Sequence, residues 1–126
     1  MVGIVIISHS EKFAEGVVDL TRIMAEDCHI AAAGGADDGG YGTSYEKILH
    51  AVKTVQDGDG VILLADMGSA TMTAEMVIEN CGYDNVLLLD CPIAEAAVAA
   101  SLSASLGDSL DEVREQALST KGTDKW

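Results

Sequence analysis

The chain has 126 residues, 48% of them hydrophobic, with 7 basic and 21 acidic side chains and a formal charge of −14. That length suits one compact domain with a radius of gyration of about 14 Å, large enough to bury a core without disulfides or metal staples. Thirteen glycines and a single proline, Pro92, argue against a low-complexity or polyproline chain, and the abundance of Ile, Val, Leu and Ala argues against intrinsic disorder. Acidic residues outnumber basic ones three to one and no Lys/Arg cluster occurs, which argues against nucleic acid and anionic membrane surfaces as partners.

Val2 to Ser8 (VGIVIIS) is a continuous rather than alternating β-branched run, which predicts a strand covered by helices on both faces. The apolar runs are too short to span a bilayer, and Met1 leads into this strand with no charged leader, so a cytoplasmic location is expected. Phe13, Val17, Leu20, Ile23 and Met24 recur at three- and four-residue steps, predicting a helix from about Glu11 to Glu26 with those residues on its apolar face. Cys28, Cys81 and Cys91 are odd in number and lack C-x-x-C spacing, so they read as packing residues in a reducing compartment. His29 to Ala33 is a second strand.

Thr43 with Glu46 forms a capping-box pattern that opens a second helix through Ile48, Leu49 and Val52, stopping at Asp57-Gly58. Gly60 to Ala65 (GVILLA) is a third strand. Ser69 can cap a third helix carrying Met72, Met76 and Val77, closed by Cys81-Gly82. Val86 to Leu89 makes the fourth strand, and Pro92 opens a helix from about Ile93 to Leu106. Ser109 with Glu112 is another capping box, starting a short helix that ends near Leu118. Residues 1–118 thus form one domain, and the polar segment 119–126 is expected to be a flexible tail. Strands alternating with helices give an α/β fold: an open, mainly parallel four-stranded sheet with helices on both faces.

In such sheets ligands gather at the carboxyl ends of the strands, beside the reversal of strand order. The loops there are SHSEKF after the first strand and DMGSAT after the third. His9 stands at a strand end and a helix entrance, where a neutral imidazole is a nucleophile and nearby amides can hold an anion; the plainer reading is a helix cap. Asp66 ends the third strand as His9 ends the first, so adjacent strands would bring the two together. A carboxylate there keeps Nδ1 protonated and turns the Nε2 lone pair outward; by itself Asp66 would be an acid at a helix N-terminus. Ser10, Gly68, Ser69 and Thr71 offer hydroxyl and amide donors to a phosphoryl group, and Lys12 is the sole cation in either loop.

Gly34 to Thr43 (GGADDGGYGT) is a long, acidic, glycine-rich loop expected to form a mobile border to the same rim, with Asp37, Asp38, Gly39 and Gly40 facing partners. Asp37 and Asp38 also read as ordinary solvated turn residues, and the chain has neither a G-x-G-x-x-G opening a helix nor a P-loop. His29 and His50 are expected to be structural, and no zinc-ligand spacing exists. Met67, Met72 and Met76 fall at helical steps, which predicts core packing; the alternative is an apolar patch facing a partner, to which Met67 at the rim is assigned.

Together, IVIISHS, GGADDGGYGTS and LLADMGSATMTAE resemble the phosphoryl-donor subunits (DhaM) of phosphotransferase-system-dependent dihydroxyacetone kinases, whose domain is similar to the mannose-family EIIA proteins. The resemblance implies that His9 is phosphorylated by phospho-HPr and passes the group to ADP on the kinase subunit DhaL, while DhaK holds the sugar. It implies no tightly bound cofactor and no metal on this chain, with ADP, ATP and magnesium residing on DhaL. Longer members carry HPr-like and enzyme I-like domains; with no room for them here, the general phosphotransferase proteins are expected to supply those steps. A homodimer is also implied, formed in mannose-type proteins through a sheet extended by an extra strand, although no fifth strand is evident after Leu89. Other readings are a receiver-like signalling domain with Asp66 as phosphoacceptor, a flavodoxin-like cofactor binder, and a non-catalytic interaction module.

Overall fold

The computed structural model describes residues 1–122 and Asp124. Among these residues four strands alternate with helices: β1 (Gly3–Ser8), α1 (Glu11–Met24), β2 (His29–Gly34), α2 (Tyr45–Val55), β3 (Val61–Ala65), α3 (Gly68–Asn80), β4 (Val86–Leu89), α4 (Ile93–Ser105) and α5 (Leu110–Leu118). All pairings are parallel and the sheet order is β2-β1-β3-β4, giving the expected α/β architecture. The central strand β1 is buried along its whole length, which is why its sequence runs apolar without alternation. Ile4 and Ile6 face a layer made by α1, α4 and α5, while Val5 and Ile7 face α2 and α3. The adjacent strands β2, β1 and β3 finish level: Ser8 lies opposite Gly34, and Ile7 opposite both Ala33 and Ala65. Residues 9, 35 and 66 therefore emerge side by side at one rim.

Two helices present different faces from those their apolar spacing predicts. Helix α1 buries Ala14, Val17, Val18 and Thr21, leaving Phe13, Leu20, Ile23 and Met24 exposed. Helix α3 buries Ala70, Ala74 and Val77, and Met67, Met72 and Met76 stand in solvent rather than in the core. The physical reason is volume. Large Ile and Leu side chains from the sheet already fill each layer, so helices that lie close upon it meet it with Ala and Val.

Several boundaries also move. The N-cap of α2 is Ser44, whose hydroxyl accepts from Lys47 N at 3.1 Å, while Thr43 instead pairs with Thr73 on α3 at 3.0 Å. Helix α1 stops at Met24 because Ala25 turns out of helical geometry and accepts from Cys28 N, steering the chain into β2. The capping box of Ser109 and Glu112 forms with both arms in place. Beyond α5, Ser119, Thr120 and Lys121 donate backbone bonds to Glu115, Ala117 and Leu118; Thr123, Lys125 and Trp126 of the predicted tail lie outside the described residues. The three cysteines are unbonded, with Cys28 buried.

Gly34 is where β2 passes beneath the start of α1. A Cβ there would sit 2.6 Å from Glu11 Cα and 2.8 Å from Ser10 O, both backbone atoms. Gly34→Ala is expected to push the first turn of α1 away from the sheet and lower stability by about 1–3 kcal/mol, read from urea unfolding.

Candidate functional site

Level strand ends turn sequence neighbours into a site. Asp66 N donates to Ile7 O at 3.1 Å, extending the β1–β3 ladder one residue past β3, and this fixes the Asp66 side chain over the end of β1. Its Oδ1 accepts the His9 Nδ1 proton at 3.0 Å. Its Oδ2 accepts from Ser8 Oγ at 2.9 Å and from His9 N at 3.1 Å. The His9 and Asp66 side chains are 25% and 15% exposed, so the pair sits at the surface but is shielded from bulk water.

Burial acts to raise the Asp66 pKa, but the hydrogen bonds from His9 N–H, Ser8 O–H and the imidazole outweigh it. The carboxyl is held below its ordinary range. An ionised carboxylate can only accept, so Nδ1 carries the proton and Nε2 presents its lone pair outward. Ser69 Oγ meets that nitrogen at 2.6 Å and donates to it.

Ser69 is thus not the cap of α3. The cap position belongs to Met67, whose side chain makes no capping bond, leaving the first amides of α3 without a side-chain partner beside the imidazole. A Cβ on Gly68 would meet nothing within 4 Å, so its backbone is open to approach. Ser10 caps α1, its oxygen accepting from Phe13 N at 3.2 Å. Thr71 donates its hydroxyl to Gly68 O within the first turn of α3.

The loop expected to be a mobile border is stitched to the site. Gly35 N donates to Ser8 O and Gly42 N to His9 O, at 3.0 and 3.1 Å. Asp37 accepts from Ser44 Oγ, and Asp38 accepts from Gly40 N at 2.8 Å, so both exposed acids carry turn hydrogen bonds. Gly39 and Gly40 line an open cleft with Ser10, Lys12 and Tyr41 beside the start of α1. His29 lies at the far end of β2, 3.6 Å from Asp57, and His50 is exposed on α2; neither reaches the rim. Among the described residues, no group of three or more His, Cys, Asp or Glu side chains is arranged to hold a metal ion.

Ser8 is a site residue that the sequence pattern alone does not mark out. It is buried, donates to Asp66, and accepts from Ser10 N at 3.0 Å, joining the carboxylate to the N-terminus of α1. The available signal was one small polar residue closing an otherwise apolar strand.

A model of the EIIA-man family, described as the PTS system fructose IIA component, matches residues 3–114. The chain belongs to this family. Among curated relatives of this EIIA-man chain is the phosphotransferase subunit DhaM of the PTS-dependent dihydroxyacetone kinase of Lactococcus lactis, 32% identical, with 90% of this chain and 91% of that protein aligned. The phosphoryl donor subunit DhaM of the PEP-dependent dihydroxyacetone kinase of Escherichia coli is 39% identical over 90% of this chain. The chain spans only 25% of the length of that Escherichia coli relative. A crystal structure of a protein of unknown function superposes with a TM-score of 0.86 at 25% identity, covering 99% of this chain and 98% of the other. Among the described residues, no helix is long and apolar enough to cross a membrane.

Because the folded-state pKa of Asp66 is depressed, its contribution to stability is complete above the unfolded carboxylate value of about 3.9 and disappears as pH falls through the lower folded value. Asp66→Asn is therefore expected to be less stable than wild type at pH 7, by about 1–3 kcal/mol. Urea titrations at successive pH values should show the two proteins converging in acid.

Proposed function

We propose that this EIIA-man domain is a phosphohistidine carrier serving a phosphoenolpyruvate-dependent dihydroxyacetone kinase, with His9 as the phosphorylated residue. The observation that carries the proposal is the tautomer set by Asp66: Nδ1–H on the carboxylate at 3.0 Å, Nε2 facing the rim. The relatives named DhaM support the choice of pathway.

In the first step the Nε2 lone pair attacks the phosphorus of a donor phosphohistidine, that of phospho-HPr. A P–Nε2 bond forms as the donor P–N bond breaks, and the donor imidazole keeps that electron pair. Nδ1–H stays with Asp66 throughout, and the carboxylate stabilises the positive charge that the ring acquires. Ser69 rotates from Nε2 to a phosphoryl oxygen, and the amides of Gly68 and Ser69 at the start of α3 receive the others. In the second step a β-phosphate oxygen of ADP, held with magnesium on DhaL, attacks the same phosphorus. The P–Nε2 bond breaks, its electrons return to the ring, ATP forms, and no proton need be exchanged.

Ser10 and Thr71 are assigned auxiliary phosphoryl contacts, each requiring a hydroxyl rotation from its present bond. Neutral donors fit a carrier, because a fixed Arg or Lys clamp would hold the phosphoryl group and slow its departure. The exposed rim of Asp37, Asp38, Gly39, Gly40 and Met67 is where both partners dock in turn, since each must cover Nε2. DhaK, which holds the sugar, meets this chain only through the complex. A receiver-like reading is disfavoured: both Asp66 oxygens are already engaged, Oδ1 by His9 Nδ1 and Oδ2 by Ser8 Oγ and His9 N, so attack through either would disturb hydrogen bonds that order the rim.

His9→Ala is expected to abolish acid-labile, alkali-stable phosphate incorporation from phosphoenolpyruvate, enzyme I and HPr. Labelling that persists in this variant, or that is lost in alkali, refutes the assignment. In single-turnover chase into ADP with DhaL present, Asp66→Asn should be slower by on the order of 10²–10⁴-fold, as for other wrongly held imidazoles, while remaining folded. Transfer rates with basic-surfaced partners should also fall as salt rises, given the formal charge of −14.

A further inference from the structure

Ser69, His9 and Asp66 are joined in series. The Ser69 hydroxyl donates to His9 Nε2 at 2.6 Å, and Nδ1–H of the same ring donates to Asp66 Oδ1 at 3.0 Å. A hydroxyl on one ring nitrogen and an ionised carboxylate on the other make a serine nucleophilic: the imidazole takes the hydroxyl proton as the oxygen attacks, and the carboxylate stabilises the imidazolium that forms. Such a constellation is recognised by geometry and roles, not by its order in the chain. The neighbouring hydroxyls are engaged differently. Ser8 Oγ donates to Asp66, Ser10 Oγ accepts from Phe13 N and Thr71 Oγ1 donates to Gly68 O, so Ser69 is the rim hydroxyl that meets a base. It is exposed, and a reactant can reach it.

The surroundings indicate what that reactant would be. Met67 and Gly68, the two residues before Ser69, line an open groove of about 440 Å³ that runs toward β4. Ala65, Leu88 and Leu89 make its wall apolar, Glu75 and Asp90 border it, and among the described residues no Lys or Arg lines it. Small-molecule sites span roughly 300–1,000 Å³, so the groove has room for a short acyl chain. Its acids, on a chain of formal charge −14, disfavour acyl donors that carry phosphate. The first amides of α3, which no side chain caps, are available to a carbonyl oxygen as it gains charge.

We propose that the chain is also a serine esterase, acting on neutral esters with short apolar acyl groups. Ser69 Oγ attacks the ester carbonyl carbon and gives its proton to Nε2. The bond to the alcohol oxygen then breaks; that oxygen keeps the electron pair and takes the proton from Nε2, leaving the acyl group on Ser69. A water molecule next gives a proton to Nε2 as its oxygen attacks the acyl carbon, and that proton passes to Ser69 Oγ as the carboxylic acid departs. Ester and water become acid and alcohol, and Nδ1–H stays with Asp66 in both halves. The activity does not depend on phosphoryl transfer, although in the proposed carrier the two compete for one lone pair at Nε2.

Diisopropyl fluorophosphate, which traps activated serines with loss of fluoride, tests this without any phosphotransferase protein. The full chain should take up one diisopropylphosphoryl group, mapped to Ser69 by fragmentation mass spectrometry, and should hydrolyse p-nitrophenyl butyrate. Labelling should vanish in Ser69→Ala and slow by at least about tenfold in His9→Ala and in Asp66→Asn, with far-ultraviolet circular dichroism unchanged. His9→Gln gives the same reading should His9→Ala lose its fold. His29→Ala and His50→Ala, which remove imidazoles remote from the rim, should label like wild type. A bare imidazole can itself attack an activated ester, so the place of the adduct decides. No adduct, an adduct on His9, Ser69 labelled as fast without His9, or ester turnover in Ser69→Ala equal to wild type overturns the proposal.

Discussion

Asp66 accepts from Ser8 Oγ, His9 N and His9 Nδ1, and this one carboxylate organises the rim. Charge-assisted hydrogen bonds of this kind are worth about 1.5–3 kcal/mol each when buried, against roughly 1 for neutral ones. Because the donors come from the end of β1 and the entry to α1, the same acid closes the strand ladder, fixes where α1 begins and orients the imidazole. Ser8 extends the arrangement by accepting from Ser10 N, so the cap of α1 is tied to the carboxylate through one hydroxyl. Parallel register supplies the proximity within the site, and ionisation supplies the strength.

The environment of Nε2 differs in kind from that of Nδ1. One nitrogen faces a full negative charge; the other faces a hydroxyl and the uncapped start of a helix. That asymmetry makes the ring directional, holding one side while leaving the other free to exchange its partner. Lys47, the cation closest to the glycine-rich loop, is committed to Gly34 O at 3.0 Å and to Glu11 at 3.9 Å, so its charge braces the scaffold. In the proposed phosphoryl carrier, the neutral donors around Nε2 and the acidic surface beyond it serve different steps, the first group transfer and the second encounter.

Much of this was legible in the amino-acid order. The runs VGIVIIS, GVILLA and VLLL, set between helical patterns, led to a parallel sheet, and strand-end logic brought His9 and Asp66 together. The exposure of the methionines and of the outer face of α1 is not legible in the spacing for one reason: period 3.6 reveals that a helix has an apolar stripe, but not whether that stripe is the one the sheet covers. Local preference favours Ser69 as a cap because Ser is a good cap; in the folded chain its hydroxyl is claimed by an imidazole sixty residues away. Thr43 lost its capping role to Ser44 by a shift of one residue, a difference that loop closure onto Thr73 decides.

What the amino-acid order determined by itself was the kind of fold and the chemistry of its strand ends, because both follow from local periodicity and from side-chain type. What only the tertiary structure decided was orientation: which proton sits on Nδ1, which hydroxyl meets Nε2, and which helix faces remain outside. Those outcomes depend on distances between residues far apart in the chain, set when three strands end level and when bulky sheet residues leave α1 and α3 to meet the sheet mainly with small side chains.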